Sequence, residues 1–257
     1  MRTTVNFYRS LVPAGCLTLA AALGCDFSGQ YEQRFQEALQ SSAARATFDQ
    51  QLFPTETPVT DPSRKETGVK LRIPILFKDS KSLPATDPRA EPPFLKLPGL
   101  HYAMERELDD GTNKNFLPTY VYFAAVPKIE QKVEQKADAL QAALAQQLAA
   151  AFPGAAWADV QVPTPEGKPI TLKRIRVEGQ QDFYNIQAKK TDRVDGRFDL
   201  YFINSRDHHV LLGWRTPKPQ GTRYFYAASD AAMGTVTSNA GTAPAGGSPD
   251  GGKKSGG

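Results

Sequence analysis

Across residues 197–215, apolar side chains fall on every second position twice over: Phe198, Leu200 and Phe202, then Val210, Leu212 and Trp214. A period of two places each set on one face of an extended strand. The polar stretch around Asn204-Ser205 between them supplies a turn. The spacing therefore predicts an antiparallel hairpin, with the two apolar sets packed together and Tyr201 on the opposite face. No cysteine follows Cys25, so no disulfide framework can staple these strands and stability has to come from a packed core.

Other runs extend the pattern. Val69, Leu71, Ile73, Ile75 and Phe77 alternate with more polar residues, and Pro74 within the run predicts an edge strand. Residues 100–108 and 116–126 flank Asp109-Asp110-Gly111 and predict a second hairpin with a long loop. Residues 158–162 and 169–178 bracket a turn. In the second of these, Ile170 and Leu172 share one parity and Ile175 and Val177 the other, which predicts a bulge near Lys173-Arg174.

Helical spacing appears three times. Tyr31, Phe35, Leu39, Phe48 and Leu52 mark a helix over residues 30–52, ended by Pro54, Pro58 and Pro62. Ile129, Val133, Ala137, Leu140, Leu144, Leu148 and Phe152 form one stripe from Pro127 to Pro153-Gly154, a helix of roughly 25 residues spanning about 37 Å, enough to cover a sheet. Phe225, Ala228, Ala232, Met233 and Val236 mark a closing helix. Residues 84–98 are proline-rich and predict extended chain.

These elements predict an α+β fold: an antiparallel sheet packed by one long central helix and a C-terminal helix, with an N-terminal helix and a Gly/Ser-rich disordered tail. The expected organisation is a signal peptide over residues 1–24, a helix and linker over 25–62, an α+β domain over 63–236 and a tail over 237–257. The order of hairpin, long helix, antiparallel strands and closing helix, with Gly213-Trp214-Arg215 on the final strand, resembles the Mog1/PsbP-like folds. Fold alone would not give function.

The start of the chain carries an address. Arg2 and Arg9 supply a positive lead, no acid occurs before Asp26, and residues 11–23 form an apolar segment shorter than the about 20 residues a spanning helix needs. Small residues then lead to Gly24-Cys25. This resembles the lipobox of bacterial lipoproteins, although Ala22-Leu23 inverts the commoner order of leucine before a small residue. The resemblance implies cleavage before Cys25, lipid on its thiol, and a membrane-anchored, extracytoplasmic protein, periplasmic where the cell has two membranes. Losing Arg2 and Arg9 with the leader takes the formal charge from +4 to +2. That near balance argues against a nucleic-acid partner, which needs a basic stripe.

Chemical motifs are sparse. Asp207-His208-His209 is the only cluster of metal-capable residues, and His101 stands apart. Adjacent side chains on a strand point to opposite faces, so the paired histidines read as a solvated turn and no metal site is expected. There is no G-x-S-x-G turn and no glycine-rich loop after a strand. Ser229-Asp230 reads as helix surface, Glu105 and Glu107 as the solvent face of a strand, and Asp109 and Asp110 as a turn. No catalytic residue and no cofactor are assigned. Trp157, Tyr201 and Trp214 are the candidate binding-surface aromatics, since such rings combine apolar area with a polar tip.

The sequence thus points to an exported protein held on a membrane through lipid on Cys25, non-enzymatic, and binding an envelope protein partner or supporting an assembly. Two alternatives stay open. One is a small-molecule or ion binding module using an aromatic sheet face, and the other is a hydrolase without a recognisable motif.

Overall fold

The computed structural model describes residues 25–112, 116–128 and 133–239. The chain divides into two compact units, residues 1–43 and 44–257. The first expectation to fall is the fold class. The protein is mostly β, with ten strands in two antiparallel sheets among the described residues, and no long central helix organises it.

Helix α1 spans Cys25–Gln51. In the 1–43 unit its Tyr31, Phe35 and Leu39 are 73%, 51% and 49% exposed, so the stripe they form stays in solvent. Further along, Phe48 is buried in the core of the 44–257 unit.

The smaller sheet has the order β1-β2-β10, from Leu52–Thr60, Glu66–Pro74 and Thr237–Ser238. Residues 52–60, expected to be a proline linker, instead form edge strand β1. Pro54 and Pro58 are accommodated there because an edge strand does not need every N–H. Conversely, β2 lies between β1 and β10, and Pro74 is its last residue, paired with Leu52. A single 3₁₀ turn, Ile75–Phe77, follows. Thr237 and Ser238 add to β2 at Lys70 and Val69, and the rest of the predicted tail from residue 240 lies outside the described residues.

The larger sheet has the order β3-β4-β5-β9-β8-β7-β6. Its strands are Lys81–Pro84, Leu100–Asp109, Phe116–Pro127, His208–Pro217, Lys190–Asn204, Ile170–Asn185 and Ala158–Val162 for β3, β4, β5, β9, β8, β7 and β6. Pro127, expected to open the long helix, ends β5 opposite His208. Helix α2 is described over Val133–Ala151, and Ile129 of the predicted stripe lies outside the described residues.

Packing explains why the predicted registers differ. The large sheet has an apolar core on each face, so both parities of its central strands are buried. Tyr201, Ile203, Val210, Leu212 and Trp214 face a core shared with β1, β2 and the C-terminal helix. Phe198, Leu200, Phe202 and Leu211 face a second core, closed by Leu144 and Leu148 of α2 and by Leu83, Ala90, Leu95 and Leu97. Phe202 therefore pairs with Leu211 and Tyr201 with Leu212, so the two apolar sets of the predicted hairpin lie on opposite faces. The same two-sided burial accounts for β7. Ile170 and Leu172 pack on the first core and Ile175 and Val177 on the second, with an unbroken register past Lys173-Arg174 and no bulge there.

The closing segment is a short turn α3 (Lys218–Gln220), a π-helical turn (Gly221–Phe225) and α4 (Tyr226–Gly234). Phe225 sets its ring 5.6 Å from that of Trp214, pinning this segment to the first core.

Candidate functional site

The residues nominated from sequence are dispersed and mostly internal. Tyr201 and Trp214 are each 1% exposed, so these rings are core packing and offer no contact surface. Trp157 is half-buried, donates Nε1–H to the Gln141 carbonyl at 2.8 Å and meets Phe202 edge-on at 6.0 Å, which ties the start of β6 to α2. Helix α1 is described from Cys25 onward, and the leader before it lies outside the described residues. No helix of the described residues is long and apolar enough to cross a membrane, and none of their His, Cys, Asp and Glu side chains form a group of three or more able to hold a metal.

The histidine pair is not the solvated turn the sequence suggests. His208 and His209 are 7% and 3% exposed. His208 Nε2 lies 3.4 Å from Asp61 Oδ2, and Ser205 is two residues before Asp207 in the same turn. This grouping has the composition of a catalytic triad and not its geometry. Ser205 Oγ donates to the His208 carbonyl and accepts its backbone N–H, so the hydroxyl closes a turn and does not bond the imidazole. Burial pushes the Asp61 carboxyl up, but the Lys65 and Ser63 amides and His208 outweigh it and hold it below the usual carboxylate range.

His209 packs against Phe202 with tilted rings 5.3 Å apart, and neither ring nitrogen has a hydrogen-bond partner among the described residues. Burial, then Lys128 and His208, push its pKa below 6.5. The unfolded chain therefore binds a proton more readily than the folded one just below that pH. Its contribution to stability is present above about pH 6.5 and is lost as pH falls towards the folded value. Urea unfolding at pH 7.5 and pH 6 is expected to show wild type losing stability relative to His209→Phe. Equal changes in both proteins would remove His209 as the cause.

Glu105, which its strand position assigns to a solvent face, is 3% exposed. Arg89 binds it at 3.1 Å while also holding Asp87 at 2.8 Å. Across the second-core face the row continues through Tyr120 to Arg215, its partners in the β4-β5-β9 register. Arg215 is 4% exposed, donates to Gln181 Oε1 and the Asp182 carbonyl, and lies 4.2 Å over the Phe183 ring. Burial pushes the Tyr122 hydroxyl up to about 12. Glu107 is raised by burial and then by Glu105. Asp109 and Asp110 accept from the Gly111 and Thr112 amides, as turn carboxylates do. This network holds segment 84–98 to the sheet.

The group with the richest accessible chemistry is one that no sequence motif singles out. On the first-core face, Arg174 and Arg176 of β7, Arg197, Asp199 and Tyr201 of β8, and Tyr226 and Asp230 of α4 come together. Asp199 Oδ2 is 2.5 Å from Arg197 Nε, and its Oδ1 is 2.6 Å from Arg176 Nε and 3.7 Å from Arg174 Nε. The Arg197 guanidinium lies 4.3 Å over the Tyr226 ring. Burial pushes the Asp199 carboxyl up against the opposing pull of Arg176 and Arg174, whereas the same contact holds Arg176 above its ordinary value against burial. Contacts of 2.5 and 2.6 Å to two permanently charged guanidiniums make the ionised pair the resting state near neutrality.

Compared with known proteins, the chain matches no family model, no curated sequence and no solved structure.

Proposed function

We propose that this protein is exported, anchored to a membrane through lipid on Cys25, and acts there as a non-enzymatic interaction protein with an envelope protein as its partner. What carries this reading is the leader motif together with the helix that follows it. The basic and apolar lead ends at Gly24-Cys25, and α1, described from Cys25 onward, carries the exposed Tyr31, Phe35 and Leu39. Such a stripe is where a partner would meet a chain tethered at its first mature residue. Two or more acyl chains would make that tether stable, at about 0.8 kcal/mol per buried CH₂. The Ser205–His208–Asp61 geometry gives the hydrolytic alternative no support.

The test is fractionation with in-cell crosslinking, comparing wild type with Cys25→Ser. Wild type is expected in the membrane fraction, with a lipid-sized mass increment on its N-terminal peptide and a specific crosslinked protein. Cys25→Ser is expected to leave the membrane and lose that crosslink. If both proteins fractionate alike, the anchor is wrong. If wild type is anchored and Tyr31→Ala/Phe35→Ala leaves the crosslink intact, the helix stripe is not the contact.

A further inference from the structure

The arginine cluster on β7 and β8 has the geometry of an anion receptor. Asp199 grips the Nε edges of Arg176 and Arg197, at 2.6 and 2.5 Å. Their Nη2 atoms converge on one oxygen, Asp230 Oδ1, at 3.9 and 3.5 Å. Arg176 Nη2 has a further long contact to Asp199 Oδ2 at 3.4 Å. A charge-assisted N–H···O bond closes to about 2.7–2.9 Å, so Asp230 sits near the donors without bonding them well. Arg197 is 6% exposed, and its buried Nη2 has no hydrogen-bond partner among the described residues. A buried guanidinium donor left in that state is costly, and it lies 3.5 Å from the oxygen on which the two guanidiniums converge.

Charge and access agree with that geometry. Counting Arg174, Arg176 and Arg197 against Asp199 alone leaves two positive charges, of which Asp230 cancels one. The Asp230 side chain is 45% exposed on α4 and Arg176 is 32% exposed, so this end of the cluster opens to solvent while Arg197 lies beneath it. The plane of Arg197 is fixed by Asp199 on one edge and by the Tyr226 ring below.

We propose that Arg174, Arg176 and Arg197 form a binding site for a dianionic oxyanion of the phosphate class, and that the loosely held Asp230 carboxylate is its internal stand-in, displaced when the anion binds. A tetrahedral oxyanion presents two oxygens at once, so it can bond both Nη2 groups at normal length where one carboxylate oxygen cannot. Two negative charges also match what the cluster lacks once Asp230 swings out. The inference does not rest on the lipid anchor, and either can fail alone.

Titration calorimetry of the full chain with inorganic phosphate at pH 7.5, against chloride at equal ionic strength, tests it. Saturable phosphate binding without chloride binding is expected. Asp230→Asn should tighten it about tenfold, because the anion no longer has to displace a charged competitor from the two Nη2 groups. Arg176→Gln should weaken it about tenfold or more. A gain in Asp230→Asn cannot arise from misfolding, so it holds the test open if Arg176→Gln proves unstable. Phosphate bound no better than chloride by wild type and Asp230→Asn alike overturns the proposal, as does equal affinity in all three proteins. Phosphatidylcholine vesicles carrying phosphatidic acid separate a lipid headgroup from a free ion. Retention that free phosphate competes away supports a headgroup at this site, and retention that survives Arg176→Gln overturns that source.

Discussion

Asp199→Ala is expected to lower stability by about 3–5 kcal/mol at neutral pH, because removing one partner of a buried charge group leaves the others uncompensated. Exposure decides which charges matter. Arg176 and Arg174, at 32% and 19%, can turn part of their guanidinium to water. Arg197, at 8%, cannot. As a charged partner it would keep only Asp230, 3.5 Å away and 45% exposed, and a pair that open contributes within about 1 kcal/mol. Asp230→Ala should therefore cost less than about 1 kcal/mol. Urea unfolding of the two variants beside wild type gives the comparison. If both cost the same small amount, Arg197 escapes to solvent and the cluster is not the buried network its distances describe. The double variant Arg197→Leu/Asp199→Leu should recover much of the loss, as apolar replacements of buried ion pairs often do.

The same cluster shows where the sequence stops being legible. Its members come from two neighbouring strands and a helix, and nothing local announces that Arg176, Asp199 and Asp230 meet. Arg197 and Asp199 share the parity of Tyr201 and Ile203, but Thr191, Arg193 and Asp195 share it too, so the alternation reads as a polar face and hides that its last positions join the core. Period-two runs locate the hairpins 100–127 and 190–217, because alternation is a property of the strand itself. Register and face are not legible, because the large sheet lies between two cores and both of its faces are apolar. With one face wet, Phe198 and Val210 would sort by polarity; with both dry, only the pairing of Tyr201 with Leu212 resolves them. Prolines mislead for a related reason. Pro54 and Pro58 sit in an edge strand and Pro127 ends a strand, positions where the missing N–H costs little, so the sequence suggests a linker and a long helix in place of β1 and the end of β5.

A second large loss is expected at Gly99, where the chain turns from segment 84–98 into β4. Gly99 has φ +68°, and its carbonyl accepts the Ala125 N–H at 2.8 Å. A Cβ there would lie 2.1 Å from the Ala125 carbonyl oxygen, and that oxygen belongs to backbone of β5, between β4 and β9. Unlike a side chain, it cannot rotate away. Gly99→Ala therefore adds three effects: about 1–2 kcal/mol for a left-handed alanine, about 1 kcal/mol for the hydrogen bond that must open, and the displacement of β5 from a close-packed core, in which overpacking costs a further ~1–3 kcal/mol. Gly154, after α2, separates these contributions. It has φ +88° and nothing within 4 Å of the point where an alanine methyl would stand, so Gly154→Ala should lose only the conformational part, about 1–2 kcal/mol. Chemical denaturation of both variants should place Gly99→Ala at least about 2 kcal/mol below Gly154→Ala, the sum of the hydrogen-bond and packing contributions. Equal losses would mean that the Gly99 turn moves off Ala125 freely, and that the junction between segment 84–98 and the sheet is softer than its contacts imply.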